Sequence, residues 1–300
     1  MASYASLSAQ RQYPHALPTP WSLAERRLLT WGLLLASLAV GGALWGSQLA
    51  QLMHLQLNAH GHTHMYAHGH PFVDARVLWG IPNAMDVLTN LPFLLVSMAG
   101  LRALHRAPGV QPATRQAATV FFVGLGLTFF SSSFYHWAPE AWGLALDRAG
   151  MAVAFAGVLG LVAAQRVSLR AARWTWPTVL VAGLFAILLQ RLAGVIAPWA
   201  VVQFGGMAVV LWACTQRAQS AALGIRWGVL IGIYAAAKLL ELGDAWVFDA
   251  AQGWVSGHSL KHVVASLAAL PVISALRHNA LQMDAVAPQR NQVMGETSSK

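Results

Sequence analysis

Two histidines near the end of the chain, His258 and His262, stand four residues apart. On a helix that spacing puts both imidazoles on one face, one turn apart. Such a pair suits two ligands of one metal ion, zinc in particular, although histidines at this spacing also serve as packing or capping residues. His136, at the end of Ser131-Ser132-Ser133-Phe134-Tyr135-His136, offers a third nitrogen from another helix. Three histidines with an open fourth position describe a catalytic rather than a structural zinc site. Ser132 precedes His136 by four residues and shares its helical face. Asp147 follows His136 by 11 residues, across the short connection 138–141. A carboxylate there is placed to take up and return a proton. A hydroxyl at Ser132 is placed to hold a water or an oxyanion. The alternative, Ser132 as nucleophile with His136 as base, lacks a glycine-rich oxyanion-hole motif and leaves His258 and His262 without a role.

The elements that carry these residues are apolar. Of 300 residues 57% are hydrophobic and only 10% charged, and the mean hydropathy is +0.52. These values exclude an ordinary soluble enzyme, a disordered chain and a coiled coil. A net charge of +9 would suggest nucleic acid in a soluble protein. Here the apolar content excludes that partner and turns attention to how the charge is distributed across a membrane. One cysteine, Cys214, excludes a disulfide framework and reads as a small buried residue.

A helix needs roughly 20 apolar residues to cross the hydrocarbon. Eight stretches approach that length: 28–52, 83–104, 117–137, 142–165, 174–196, 197–215, 227–248 and 258–276. The expected fold is an all-α polytopic membrane protein. It divides into a disordered cytoplasmic segment (1–27), an extra transmembrane helix (28–52), a His-rich outer loop (53–73), a seven-span core (74–277) and a cytoplasmic tail (278–300). The uncharged run of the first span exceeds the h-region of a signal peptide, so it is expected to be retained. With the N-terminus in the cytoplasm, fourteen of the nineteen basic residues fall in inner segments. The others are Arg76, Arg148, Arg191, Lys238 and Lys261, while only Glu25, Asp284 and Glu296 of the acids lie inside. The positive-inside rule therefore favours eight spans with both termini cytoplasmic.

Polar residues inside spans are costly and mark functional positions. Here Asn83, Asp86, Ser131–Ser133, His136, Asp147, Glu241, Asp244, His258 and His262 all fall toward the outer ends. Several have plainer roles. Ser131 and Ser133 suit bonds to carbonyls of their own helix. Lys238 and Glu241 suit an i,i+3 ion pair. Asp86 and Asn90 suit helix–helix hydrogen bonds. Lys261 suits snorkelling to the surface. Asp147 and Arg148 are adjacent, so their side chains diverge by about 100° and pair elsewhere. His54, His60, His62, His64, His68 and His70 form a tract that binds metal adventitiously or acts as a metal-scavenging lid. That tract also suits a divalent-metal transporter. A transporter, however, lines a path through both leaflets with polar groups, and here they cluster in one.

In order and spacing, Ser132-x3-His136, Asp147 and His258-x3-His262 resemble the alkaline ceramidase family. That family belongs to a wider group of seven-span hydrolases and receptors that includes the adiponectin-receptor-like proteins. The segment from Asp74 through Trp79-Gly80-Ile81-Pro82-Asn83, running into Asp86 and Thr89-Asn90-Leu91-Pro92-Phe93, looks like the opening of bacterial ceramidase-like proteins. The resemblance covers 74–277 and leaves the first span outside the core. It implies that zinc is bound by His136, His258 and His262, with Ser132 and Asp147 beside the activated water. It also implies hydrolysis of the N-acyl bond of ceramide-like lipids. Eukaryotic members carry an acidic calcium-binding segment before the first core helix. Here Asn83 stands at that helix start, with only Asp74 and Asp86 acidic nearby, so calcium dependence is not expected. A lipid receptor of the same group with little turnover is the other reading within the resemblance.

Reporter fusions after Arg115 and after Arg173 are both expected to report cytoplasm. A periplasmic signal from either would overturn the topology.

Overall fold

Prolines start several of the helices. Pro92, Pro112 and Pro198 occupy first-turn positions, where a missing N–H costs nothing. The computed structural model describes residues 20–52 and 72–282 and contains no strand among them, only an isolated bridge between Leu78 and Ile81. In chain order the helices are α1 (Leu23–Leu52), α2 (Ala84–Leu88), α3 (Leu91–His105), α4 (Pro112–Trp137), α5 (Ala141–Arg166) and α6 (Leu169–Ala193). There follow α7 (Ala197–Ala200), a π turn over Val201–Gly205, α8 (Gly206–Cys214), α9 (Trp227–Leu242), α10 (Asp244–Ala250) and α11 (Gly257–Leu267). The chain is helical again over 270–282. It is an all-α polytopic membrane protein. The His-rich tract 53–71, the segment 1–19 and the tail 283–300 lie outside the described residues.

Among the described residues, seven helical stretches are long and apolar enough to cross a membrane: Leu23–Gly46, Ala84–His105, Pro112–Trp137, Ala141–Arg166, Leu169–Ala193, Ala197–Cys214 and Gly257–Gln282. They begin up to five residues before the expected boundaries, because charged residues such as Glu25, Arg115 and Arg170 occupy their first turns. The expected span 227–248 is instead two helices, α9 of 16 residues and α10 of 7, broken at Gly243. The break frees the side chain of Asp244, whose Oδ1 accepts from the backbone N–H of His258 at 2.7 Å.

Small residues let the central helices approach. A side chain at Gly124 would collide with the backbone of Ala154, and one at Gly157 with that of Phe121. This is the small-residue packing of membrane bundles, where close backbone approach replaces a hydrophobic driving force. The α1 helix is held differently. Ser22 and Glu25 form a reciprocal cap, with Ser22 N–H donating to Glu25 at 2.7 Å. Glu25 is 2% exposed and also accepts from Ser168 at 2.7 Å and twice from Arg170, at 2.9 and 2.6 Å. Much of the rest of α1 shows Leu33, Leu38, Leu44 and Trp45 outward.

The segment before α2 lies across the histidine-bearing end of the bundle. Buried Asp74 accepts from Arg76 Nε and Nη2 at 2.7 and 2.6 Å, and Arg76 also donates to the Trp254 carbonyl. The Asp74 bond raises the guanidinium pKa above its already high ordinary value. Trp79 and Gly80, both at positive φ, make the tight Leu78–Ile81 turn.

Gly257 opens α11 against the α9–α10 break, where a Cβ would overlap the Leu240 carbonyl oxygen and crowd Asp244 Cα. Gly257→Val is expected to cost about 1–3 kcal/mol, read as a lower thermal midpoint in detergent. Gly228→Val, at a position with open space around it, should leave the midpoint unchanged.

Candidate metal centre

His136 is the penultimate residue of α4, His258 the second of α11, and His262 lies one turn further on. The structure brings the three together, with relative exposures of 1%, 4% and 4%. Their ring centroids are 4.9, 5.1 and 4.8 Å apart, and one ligand atom from each falls within 4.8 Å of the others. His136 Nε2 and His258 Nε2 are 3.3 Å apart. Two nitrogens bound tetrahedrally to one ion at about 2.0–2.1 Å stand roughly 3.3 Å apart. The cluster therefore fits a metal ion in both donor chemistry and geometry.

Each histidine is oriented by a group outside the cluster. Asn83 starts α2 in the left-handed conformation, and its amide donates to the His136 carbonyl at 2.8 Å. Asp244 holds the His258 backbone, as described above. Thr89 Oγ1 lies 3.2 Å from His262 Nδ1. Because the Thr89 hydroxyl donates its one proton to the Met85 carbonyl at 2.6 Å, it accepts from His262. That assigns the proton to Nδ1 and leaves the Nε2 lone pair for an ion, the usual outer support of a metal-binding histidine. Phe72 covers the cluster, its ring 4.9 Å from that of His136 and 6.5 Å from that of His258.

Ser132 and Asp147 line a cavity of about 470 Å³ whose wall includes His262. Ser132 is 2% exposed, and its hydroxyl lies toward the Asp147 carboxylate. All five expected site residues thus meet at one end of the bundle. Lys238, Glu241 and Lys261 line the same cavity. Lys261 does not snorkel to the surface. Its Nζ donates to Glu241 Oε1 at 2.8 Å, while Lys238 donates to Oε2 at 2.6 Å. A carboxylate within reach offsets the cost of a buried ammonium better than extension does. The expected Lys238–Glu241 pair is therefore one half of a three-charge cluster.

The other polar residues divide. Asp86 accepts from Ser259 on α11 at 2.6 Å, as a helix–helix bond. Asn90 instead donates to the Asp86 carbonyl within its own segment at 2.8 Å. Ser131 bonds the Leu127 carbonyl of its own helix, whereas Ser133 reaches Val87 across to α2. Cys214 is half-buried at the end of α8. Phe93, Thr128, Met151, Tyr234 and Ala265 are shared between the site cavity and an apolar hollow of about 750 Å³. That hollow reaches Phe121, roughly 16 Å along α4 from Ser132 by helical rise. In comparisons with known proteins, the chain matches no family model and no curated protein.

His136→Ala, His258→Ala and His262→Ala are each expected to remove most of the bound metal, measured by elemental analysis with residues 53–71 deleted to exclude loop binding. Thr89→Val should weaken metal affinity about tenfold or more without abolishing it. Stoichiometric metal in all three histidine variants would overturn the site.

Proposed function

We propose that the chain is a zinc-dependent intramembrane amidase that hydrolyses the N-acyl bond of ceramide-like lipids, releasing a sphingoid base and a fatty acid. The observation that carries this reading is the continuity of the three-histidine cluster, the Ser132–Asp147 cavity and the apolar hollow. A polar reacting centre at one end and a tail-sized apolar space behind it suit an amide attached to a long acyl chain. Three histidines with no cysteine or carboxylate among them match the donor set of a catalytic zinc site. Zinc bound there would supply Lewis acidity toward the amide carbonyl and a water of lowered pKa.

The protein's own groups do the rest. Asp147 accepts the proton of the attacking water and delivers it to the amide nitrogen as the C–N bond breaks. Water and amide thus become carboxylic acid and amine, which re-equilibrate to carboxylate and ammonium, without net gain or loss of protons at Asp147. Ser132, whose hydroxyl lies toward Asp147, turns its one proton to the oxygen that gains charge once Asp147 has taken up the proton of the water. Phe72 over the rings limits entry of bulk water. The lipid enters sideways from the leaflet at the histidine end, read as the outer one on the charge asymmetry.

A metal-transport reading is less well supported. The hollow beyond the cavity carries no charged side chain or histidine in its lining, whereas a path for a divalent ion is lined with such groups through both leaflets. The lipid-receptor reading shares the whole site and differs only in turnover.

Incubation of metal-loaded protein with ceramides is expected to release free fatty acid, followed by mass spectrometry. Asp147→Asn should keep its metal and lose turnover. Ser132→Ala should lower kcat by at most about 10²–10³-fold. Absence of fatty acid from any N-acyl lipid at full metal content would leave the receptor reading in its place. Full activity in Asp147→Asn would overturn the proton-transfer assignment alone.

A further inference from the structure

A second hollow, of about 540 Å³, opens at the same end of the bundle between α5 and α6. Arg148 of α5 and Gln190 and Arg191 of the last turn of α6 enter it above Leu144, Ala145 and Ile187. The proposed hydrolysis uses none of them. Neither guanidinium has a carboxylate oxygen within 4.0 Å among the described residues. Asp147, the acid next to Arg148 in sequence, lines the other cavity. Arg191 Nε and Gln190 Oε1 are buried without a hydrogen-bond partner among the described residues. The Arg191 guanidinium carbon lies 4.4 Å from the centre of the Trp142 ring, which fixes its plane.

Each arginine alone has an ordinary explanation. Arg191 complements the C-terminal end of the α6 dipole, and Arg148 can snorkel toward the interface. Neither explanation accounts for two guanidiniums converging on one hollow whose lining holds no carboxylate, with Asp147 and Glu241 acting on Arg148 only from the neighbouring cavity. Leaving two charges together and half-buried is unfavourable unless an anion joins them. Guanidinium forks match the oxygens of a phosphate group in pairs. Gln190 Oε1 adds an acceptor for a hydroxyl or ammonium carried on the same ligand.

We propose that the Arg148–Gln190–Arg191 hollow is a phosphate-binding site, which takes the phosphoryl headgroup of a membrane lipid or free phosphate. The site stands on its own geometry and does not depend on the hydrolase reading.

The test uses the full chain in nanodiscs of a phosphate-free glycolipid doped with phosphatidylglycerol, followed by native mass spectrometry. Wild type is expected to retain one phosphatidylglycerol. The Arg148→Gln, Arg191→Gln double variant should retain about tenfold less. Arg148→Lys with Arg191→Lys should fall between, since an ammonium keeps the charge and loses the fork. A parallel arm adds excess inorganic phosphate. Displacement of the lipid marks free phosphate as a ligand of the same arginines, and persistence of the lipid marks the headgroup as the preferred source. Equal retention in wild type and the double glutamine variant overturns the proposal. Should that variant lose its metal and with it the fold, the lysine pair decides, and retention equal to wild type overturns the paired-fork site.

Discussion

Three imidazoles buried within 4.8 Å of one another are the constraint around which one end of this molecule is arranged. Rings packed this closely present a common face only if each is held in one orientation, so their nitrogens must be aimed. The aiming comes from four separate places. Asn83 grips the backbone behind His136 and Asp244 that of His258. Thr89 sets the proton on His262, and Phe72 closes the top. Two local departures from regular helix exist to supply these groups. One is the left-handed Asn83 before α2, and the other is the break between α9 and α10. In a bilayer, irregular backbone is tolerated only where protein satisfies it; Gly243 N–H donates to the Leu239 carbonyl and the Asn83 carbonyl accepts from the Val87 N–H, which leaves the side chains of Asn83 and Asp244 to reach the site.

The helical layout was legible because crossing a membrane takes long apolar runs, and few sequences contain them for another reason. Boundaries were less legible. Glu25 and Arg170 looked like loop residues, yet they lie inside helices because they satisfy each other there. That Ser132, His136, Asp147, His258 and His262 would lie at one end of the bundle was readable from two i,i+4 spacings and one hairpin return. Their supports were not. Thr89 and Asn83 appeared only as parts of a segment, since nothing in a linear chain says that Thr89 will sit 173 residues away from its partner. Lys261 was misread for the same reason. Its distance from Glu241 is 20 residues across a break, and no helical period connects them. Asn90 was assigned an interhelical bond that its own turn provides more cheaply.

The polar groups outside the cluster follow one rule with different outcomes. Glu25, Glu241 and Asp74 each meet a cation, and Asp86 meets a hydroxyl. Such pairs add little net stability where solvent reaches them. Their larger effect is to specify which helices touch. Glu25 registers α1 against α6 at one end, and one face of α1 continues along the bundle, with Leu28, Trp31 and Leu35 against the core and Gly42 against Ala197, while its other face shows Leu33, Leu38 and Leu44 outward.

The shortness of α9 has a consequence for the surrounding lipid. Sixteen residues of helix cover about 24 Å, against a hydrocarbon thickness of about 30 Å. A bilayer meeting a short hydrophobic wall thins to match it. The thinning would fall beside the α9–α10 break, next to the cavity that holds Asp147. Headgroups and water would be drawn inward at that edge. A stress borne by the lipid would thus bear on the mouth of the cavity without any moving part in the protein.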